Sequence, residues 1–93
     1  SYDSDYETAK ALIIDCVKGL GHALDDPAPF VGMEAHAQSS VDVIVKYWVP
    51  TNVYYDSRYM MREAVKLAFD ANGIEIPYPQ LEVHTKSDGK ESK

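Results

Sequence analysis

The sequence predicts an α+β domain, and three observations predict it. Two long stretches carry apolar residues at helical spacing. Three shorter stretches alternate apolar and polar residues. Glycine and proline mark the boundaries between them. The chain has 93 residues, enough for one domain and not two. A domain this short buries roughly 60–65% of its unfolded surface and is only modestly stable alone.

The first helix opens at "SDYETAKALIIDCVKGL", where Ser4 and Glu7 have the spacing of a capping box. Tyr6, Ala9, Ile13, Cys16, Val17 and Leu20 then form one apolar stripe, which Leu12 widens. Gly19 and Gly21 permit a stop, although the pattern can run on through Ala23 and Leu24. Pro27 and Pro29 end it in any case.

"FVGMEAHAQ" follows as a strand. Val31, Met33, Ala35 and Ala37 fall on one face, and Gly32, Glu34, His36 and Gln38 on the other. Ser39–Ser40 is a tight connection to the strongest strand, "VDVIVKYWV". There Val41, Val43, Val45, Tyr47 and Val49 share a face, against Asp42, Ile44, Lys46 and Trp48. The two strands read as a hairpin. Pro50 ends the second, and Thr51 or Asn52 is placed to cap a second helix. In that helix Tyr54, Met61, Ala64, Val65, Ala68 and Phe69 form the apolar set. Arg58–Arg62 and Glu63–Lys66 lie at contact spacing on the outer face. Gly73 reads as the C′ glycine, with Ile74 folding back onto the last turn.

A final strand, Leu81–Thr85, comes after "GIEIPYPQ". Ile76 and Tyr78 each precede a proline and are held extended. Pro77 and Pro79 lack N–H groups on the same edge of an extended chain, so that edge cannot pair. Pro77, Tyr78, Pro79 and Gln80 therefore read as a stiff spacer that ends one fold and aims Leu81–Thr85 elsewhere. The tail 86–93 has no apolar residue and is expected to be disordered. The order helix, strand, strand, helix, strand is a split β-α-β, ferredoxin-like α/β sandwich without its first strand. That strand is central in such a sheet, so its loss is expected to leave a gap, and the chain is expected to be a fragment cut before its first helix. The domain organisation is then 1–80 for the sandwich, 81–85 for the last strand and 86–93 for the tail.

The net charge of −6 argues against nucleic acid and anionic membrane surfaces, both of which select Lys/Arg clusters. No apolar run approaches the ~20 residues of a spanning helix, and no signal-peptide pattern opens the sequence. The chain is expected to be soluble by itself. Cys16 is the only cysteine, which fits a reducing compartment and an inert thiol on a buried helix face.

The residues carry little that resembles an active site. His22, His36 and His84 lack zinc-site spacing, and His36 and His84 meet only if a sheet brings them together. Ser39–Ser40 has no nucleophile-elbow glycines around it, and no phosphate-cradling loop is present. Asp25–Asp26 before Pro27 reads as a solvated helix end rather than an acid–base pair. A small acyl-phosphate hydrolase of this fold needs an early arginine, and the first half of the chain has none. No catalysis, cofactor or metal is expected. Trp48 with Ile44 forms an apolar patch on the second sheet face, read as a packing surface rather than a ligand platform.

Several stretches together resemble the C-terminal cytoplasmic domain of the small-conductance mechanosensitive channel (MscS) family. They are "YDSD" at the start, "SSVDVIVKYWV" and "NVYYDSRYMMREAVKLAFDANGIEIPYPQ". "FDANGIEIPYPQ" is the most specific. The resemblance implies an inner-membrane channel of seven subunits whose C-terminal domains form a hollow cytoplasmic vestibule with side portals. It implies that upstream channel domains and other copies of the subunit are the partners. It also implies that Leu81, Val83 and Thr85 belong to a strand of an intersubunit barrel. The expected role is scaffolding the assembly and shaping ion and osmolyte access, with Asp25, Asp26 and Glu34 tuning passage through the portals. A free-standing ferredoxin-like module that binds a small ligand is the alternative; it requires a pocket with converging polar groups.

Overall fold

A computed structural model describes residues 2–35, 41–87 and 90–91. The elements run α1 (Tyr2–Gly19), β1 (Phe30–Ala35), β2 (Val41–Pro50), a 3-10 turn (Thr51–Val53), α2 (Tyr54–Asn72), β3 (Gln80–Ser87) and β4 (Lys90–Glu91). The class is α+β. Two helices lie side by side on one face of a mixed sheet with strand order β1-β2-β3-β4.

The core follows the apolar stripes. Tyr6, Ala9, Ile13 and Val17 from α1 and Met61, Val65 and Phe69 from α2 meet Val43, Val45, Tyr47 and Val49 from β2. Each Val, Ile, Met or Phe side chain among them, removed from water, stabilises the fold by roughly 1.5–3 kcal/mol. Cys16 is half-buried at the rim of this cluster rather than inside it. Met33 shares a face with its buried partner Val43 yet is 45% exposed, because β1 is an edge strand. His36, Ala37, Gln38 and the Ser39–Ser40 connection lie outside the described residues.

Helix ends differ from the sequence reading in two places. Helix α1 begins at Tyr2, so Ser4 lies inside it and is not its N-cap. Helix α2 has Val53 at its N-cap without a side-chain cap, because a 3-10 turn occupies Thr51 and Asn52. At the other end of α1 the glycine stop wins: Gly21 takes φ 84°, and the chain leaves the helix. Ala23 and Leu24 do not extend it; the Leu24 N–H donates to the Trp48 carbonyl at 2.8 Å and ties the loop to β2. Helix α2 ends as its sequence predicts. Gly73 has φ 63°, its N–H reaches the Asp70 carbonyl and the Ile74 N–H reaches the Phe69 carbonyl at 3.0 Å. This is a Schellman motif with glycine at the left-handed position.

The largest correction concerns the last strand. β3 does not leave the domain. It lies parallel to β2 in the domain's own sheet, from Ile44 opposite Gln80 to Pro50 opposite Lys86. The expected gap is closed, and β2-α2-β3 is a direct rather than a split β-α-β unit. The reason is the open edge of β2, an apolar central strand whose N–H and C=O groups need partners. The prolines set where pairing starts rather than preventing it: strand geometry begins at Gln80, directly after Pro79. Gln80 is thus a strand residue and not part of a spacer. β3 also runs past Thr85 to Ser87, and Lys90–Glu91 pair back onto Lys86 and Ser87. Those four residues of the expected disordered tail are strand, while 88–89 and 92–93 lie outside the described residues.

Candidate functional site

Among the described residues, the sheet has one face under the helices and one without a helix layer. Register decides which side chains share the open face. Across β1 and β2 it pairs Phe30 with Lys46, Gly32 with Ile44 and Glu34 with Asp42. Across β2 and β3 it pairs Ile44 with Gln80, Lys46 with Glu82, Trp48 with His84 and Pro50 with Lys86.

The centre of this face is a polar and aromatic cluster. The Trp48 and His84 rings stack with centroids 4.7 Å apart and an interplanar angle of 23°. His84 Nε2 lies 2.8 Å from Glu82 Oε2, and Lys46 Nζ is 3.6 Å from the same oxygen. Lys86 Nζ sits 5.9 Å from the centre of the Trp48 ring. The hydrogen bond from His84, with Lys46 adding to it, holds the Glu82 carboxyl below the ordinary glutamate range. Ile44 and Trp48, read from the sequence as one patch, are both half-buried on this face. The Phe30 ring lies over Gly32, where a side-chain carbon would sit 2.7 Å from it. Only glycine leaves the ring that seat.

The segment 74–79 straps onto α2. Ile76 is 8% exposed and Pro79 is buried, while Pro77 is exposed. The Tyr78 hydroxyl donates to the Arg62 carbonyl at 2.9 Å. Pro77 and Tyr78 are therefore held against the domain rather than pointing away from it. Leu81 and Val83 pair with Val45 and Tyr47 and pack on the core, and Thr85 is half-buried opposite Val49.

Sequence reading missed a buried polar link at the end of β2. Ser57 is fully buried, with its Oγ 2.8 Å from His22 Nε2 and 3.2 Å from the Tyr47 hydroxyl. It joins the loop after α1, strand β2 and helix α2. The signal was present: Ser57 continues the i, i+4 stripe Met61, Val65, Phe69, but a serine does not register in an apolar count. His22 and His84 sit in separate networks, and His36 lies outside the described residues. Among the described residues no three His, Cys, Asp or Glu side chains converge as a metal set. Burial, with the neighbouring Asp15 carboxylate, raises the Cys16 thiol, which leaves little thiolate to react.

Residues 1–76 match the family model described as the C-terminal region of the mechanosensitive ion channel MscS. The chain belongs to the MscS family. An MscS family protein of Archaeoglobus fulgidus is 31% identical over 98 residues, covering 99% of this chain and 35% of that protein. The small-conductance mechanosensitive channel of Edwardsiella ictaluri is 32% identical, covering 90% of this chain and 29% of its own length. That of Helicobacter pylori is 28% identical over 92% of this chain. The chain thus spans about a third of the length of these MscS relatives. No solved structure gives a significant match. MscS channels are membrane proteins that assemble from several subunits. No helix among the described residues is long and apolar enough to cross a membrane. The family match stops one residue before Pro77, so the strap's prolines and β3 lie beyond it.

Proposed function

We propose that this chain is the cytoplasmic vestibule domain of a mechanosensitive channel subunit. It scaffolds subunit assembly, shapes ion and osmolyte access to the pore and performs no catalysis. The observation that carries this reading is the family match over residues 1–76. The resemblance to a family of seven-subunit vestibules supports a heptamer with the membrane-spanning part supplied by upstream domains. The open sheet face supports a packing role, since Ile44 and Trp48 lie half-buried there with no helix above them among the described residues. β3 supports an intersubunit role for Leu81, Val83 and Thr85 in a limited form. One edge belongs to β2, and β4 covers only Lys86 and Ser87, so the outer edge of Gln80 to His84 has no strand beside it among the described residues.

The test is electrophysiological. The full-length protein carrying this chain, expressed in a host lacking its own small-conductance channels, gives tension-activated currents under patch clamp. Absence of such currents sinks the reading. Reversing Asp25, Asp26 and Glu34 to lysine shifts conductance or ion selectivity; unchanged values remove the portal role of those carboxylates and leave the channel role intact.

A further inference from the structure

The segment after α2 turns back over the helix it has just left. Gly73 at φ 63° reverses the chain, and the Ile74 N–H donates to the Phe69 carbonyl at 3.0 Å. Further along the strap, the Tyr78 hydroxyl donates to the Arg62 carbonyl at 2.9 Å. Those two helix carbonyls lie about 10 Å apart, close to two turns of α2. The strap is thus fixed to the helix at two points. Between them a cleft of about 390 Å³ opens, with α2 on one side and the strap on the other.

The floor of the cleft is apolar. Phe69 and Ile76 are 6% and 8% exposed, and Ile74 is half-buried beside them. The rim carries charge from Arg62, Lys66 and Asp70. Lys66 Nζ and Asp70 Oδ2 pair at 3.1 Å and balance one another. Arg62 is left over, and its guanidinium makes no ion pair among the described residues. The Tyr78 anchor uses the backbone of residue 62 and leaves the five guanidinium donors unengaged. In a chain of net charge −6, the cleft therefore has one positive charge in excess. Its size lies in the range of small-molecule sites, and a few polar groups over apolar walls is their usual lining.

We infer that the cleft between α2 and the strap binds a small organic monoanion. Arg62 holds the carboxylate, and an aromatic or branched aliphatic body lies against Phe69, Ile74 and Ile76. The apolar floor selects such a molecule over an inorganic anion, and Arg62 selects it over an amine. A ligand seated there touches helix and strap together. It fastens residues 74–79 to α2, and with them the entry into β3 at Gln80. The site stands whether or not the chain serves a channel.

Phenylpropionate is the probe, titrated into the 93-residue chain and followed by NMR of the backbone amides. The expected result is saturable binding with a dissociation constant of about 1 mM, and shifts concentrated at Arg62, Phe69, Ile74 and Ile76. At ten times that concentration the thermal unfolding midpoint rises by roughly 5 °C. Phenylpropylamine, which lacks the anion, and acetate, which lacks the apolar body, give no saturable shift. Arg62→Gln keeps the backbone anchor and weakens binding roughly fivefold or more, with an unchanged circular dichroism spectrum. Arg58→Gln, outside the cleft, changes affinity by less than about twofold. Absence of saturation with phenylpropionate overturns the site. So does equal binding of the amine, or a loss that Arg58→Gln reproduces in full, since either reports contact without a built pocket. The amine and acetate arms use the unaltered chain and decide the matter even where Arg62→Gln folds poorly.

Discussion

Ser57 shows how much a single polar side chain fixes in a small core. Its hydroxyl meets both His22 and Tyr47, and it has no exposed surface. Replacing it by alanine leaves the Tyr47 hydroxyl in the core with only the residue-57 carbonyl at 3.5 Å. Ser57→Ala is expected to cost about 1–3 kcal/mol in urea denaturation, more than its lost volume explains. Glu82 is a residue whose effect lies in its titration. Its carboxyl is depressed by His84 in the folded state, so the stabilisation is present above the unfolded pKa and is lost as pH falls through the folded one. An NMR titration is expected to find Glu82 ionising below the ordinary glutamate range, and His84→Ala is expected to move it upward. An unmoved midpoint would show that the 2.8 Å contact does not persist in solution.

At the scale of elements, two glycines give opposite expectations. Gly73 has φ 63°, and a Cβ placed there would meet nothing within 4 Å, so a side chain faces backbone strain and no clash. Gly73→Ala is expected to destabilise by about 1–2 kcal/mol. Gly19 is equally open but is the last residue of α1 and has no positive φ. Gly19→Ala is expected to be neutral or to stabilise by about 0.5–1 kcal/mol. Thermal unfolding of the two variants side by side checks the pair. The same contrast explains what was legible at helix ends. Gly73 announces its turn because glycine alone takes that conformation cheaply. Ser4 announces a helix start that the chain places earlier, at Tyr2, because a capping signal names a residue type and not the place where the chain turns.

At the scale of the whole molecule, β3 decides whether the domain closes on itself. It covers the edge of β2 and lays Leu81 and Val83 on the core. Removing residues 80–93 is therefore expected to abolish cooperative unfolding and to promote association through the bared edge of β2. Far-UV circular dichroism with urea titration of the shortened chain measures this. A truncated chain that unfolds cooperatively at the wild-type midpoint would show that β3 is dispensable to the fold and is an exit strand after all.

Periodicity was enough for the α+β class, both helices, the hairpin strands and the inward face of β2, because it reports directly which side chains must leave water. Several stretches taken together, from "YDSD" to "FDANGIEIPYPQ", pointed to the family, and the match over residues 1–76 shows it. Which strand takes the edge of β2 emerged only in three dimensions, since that depends on unpaired backbone groups that look alike in every sequence. Folding also brought Trp48 to His84 and Ser57 to His22, contacts across 36 and 35 positions that the register of parallel strands and the packing of a loop create. Local pattern fixes what a segment is; where its free edge and its polar atoms find partners is settled only when the chain has closed.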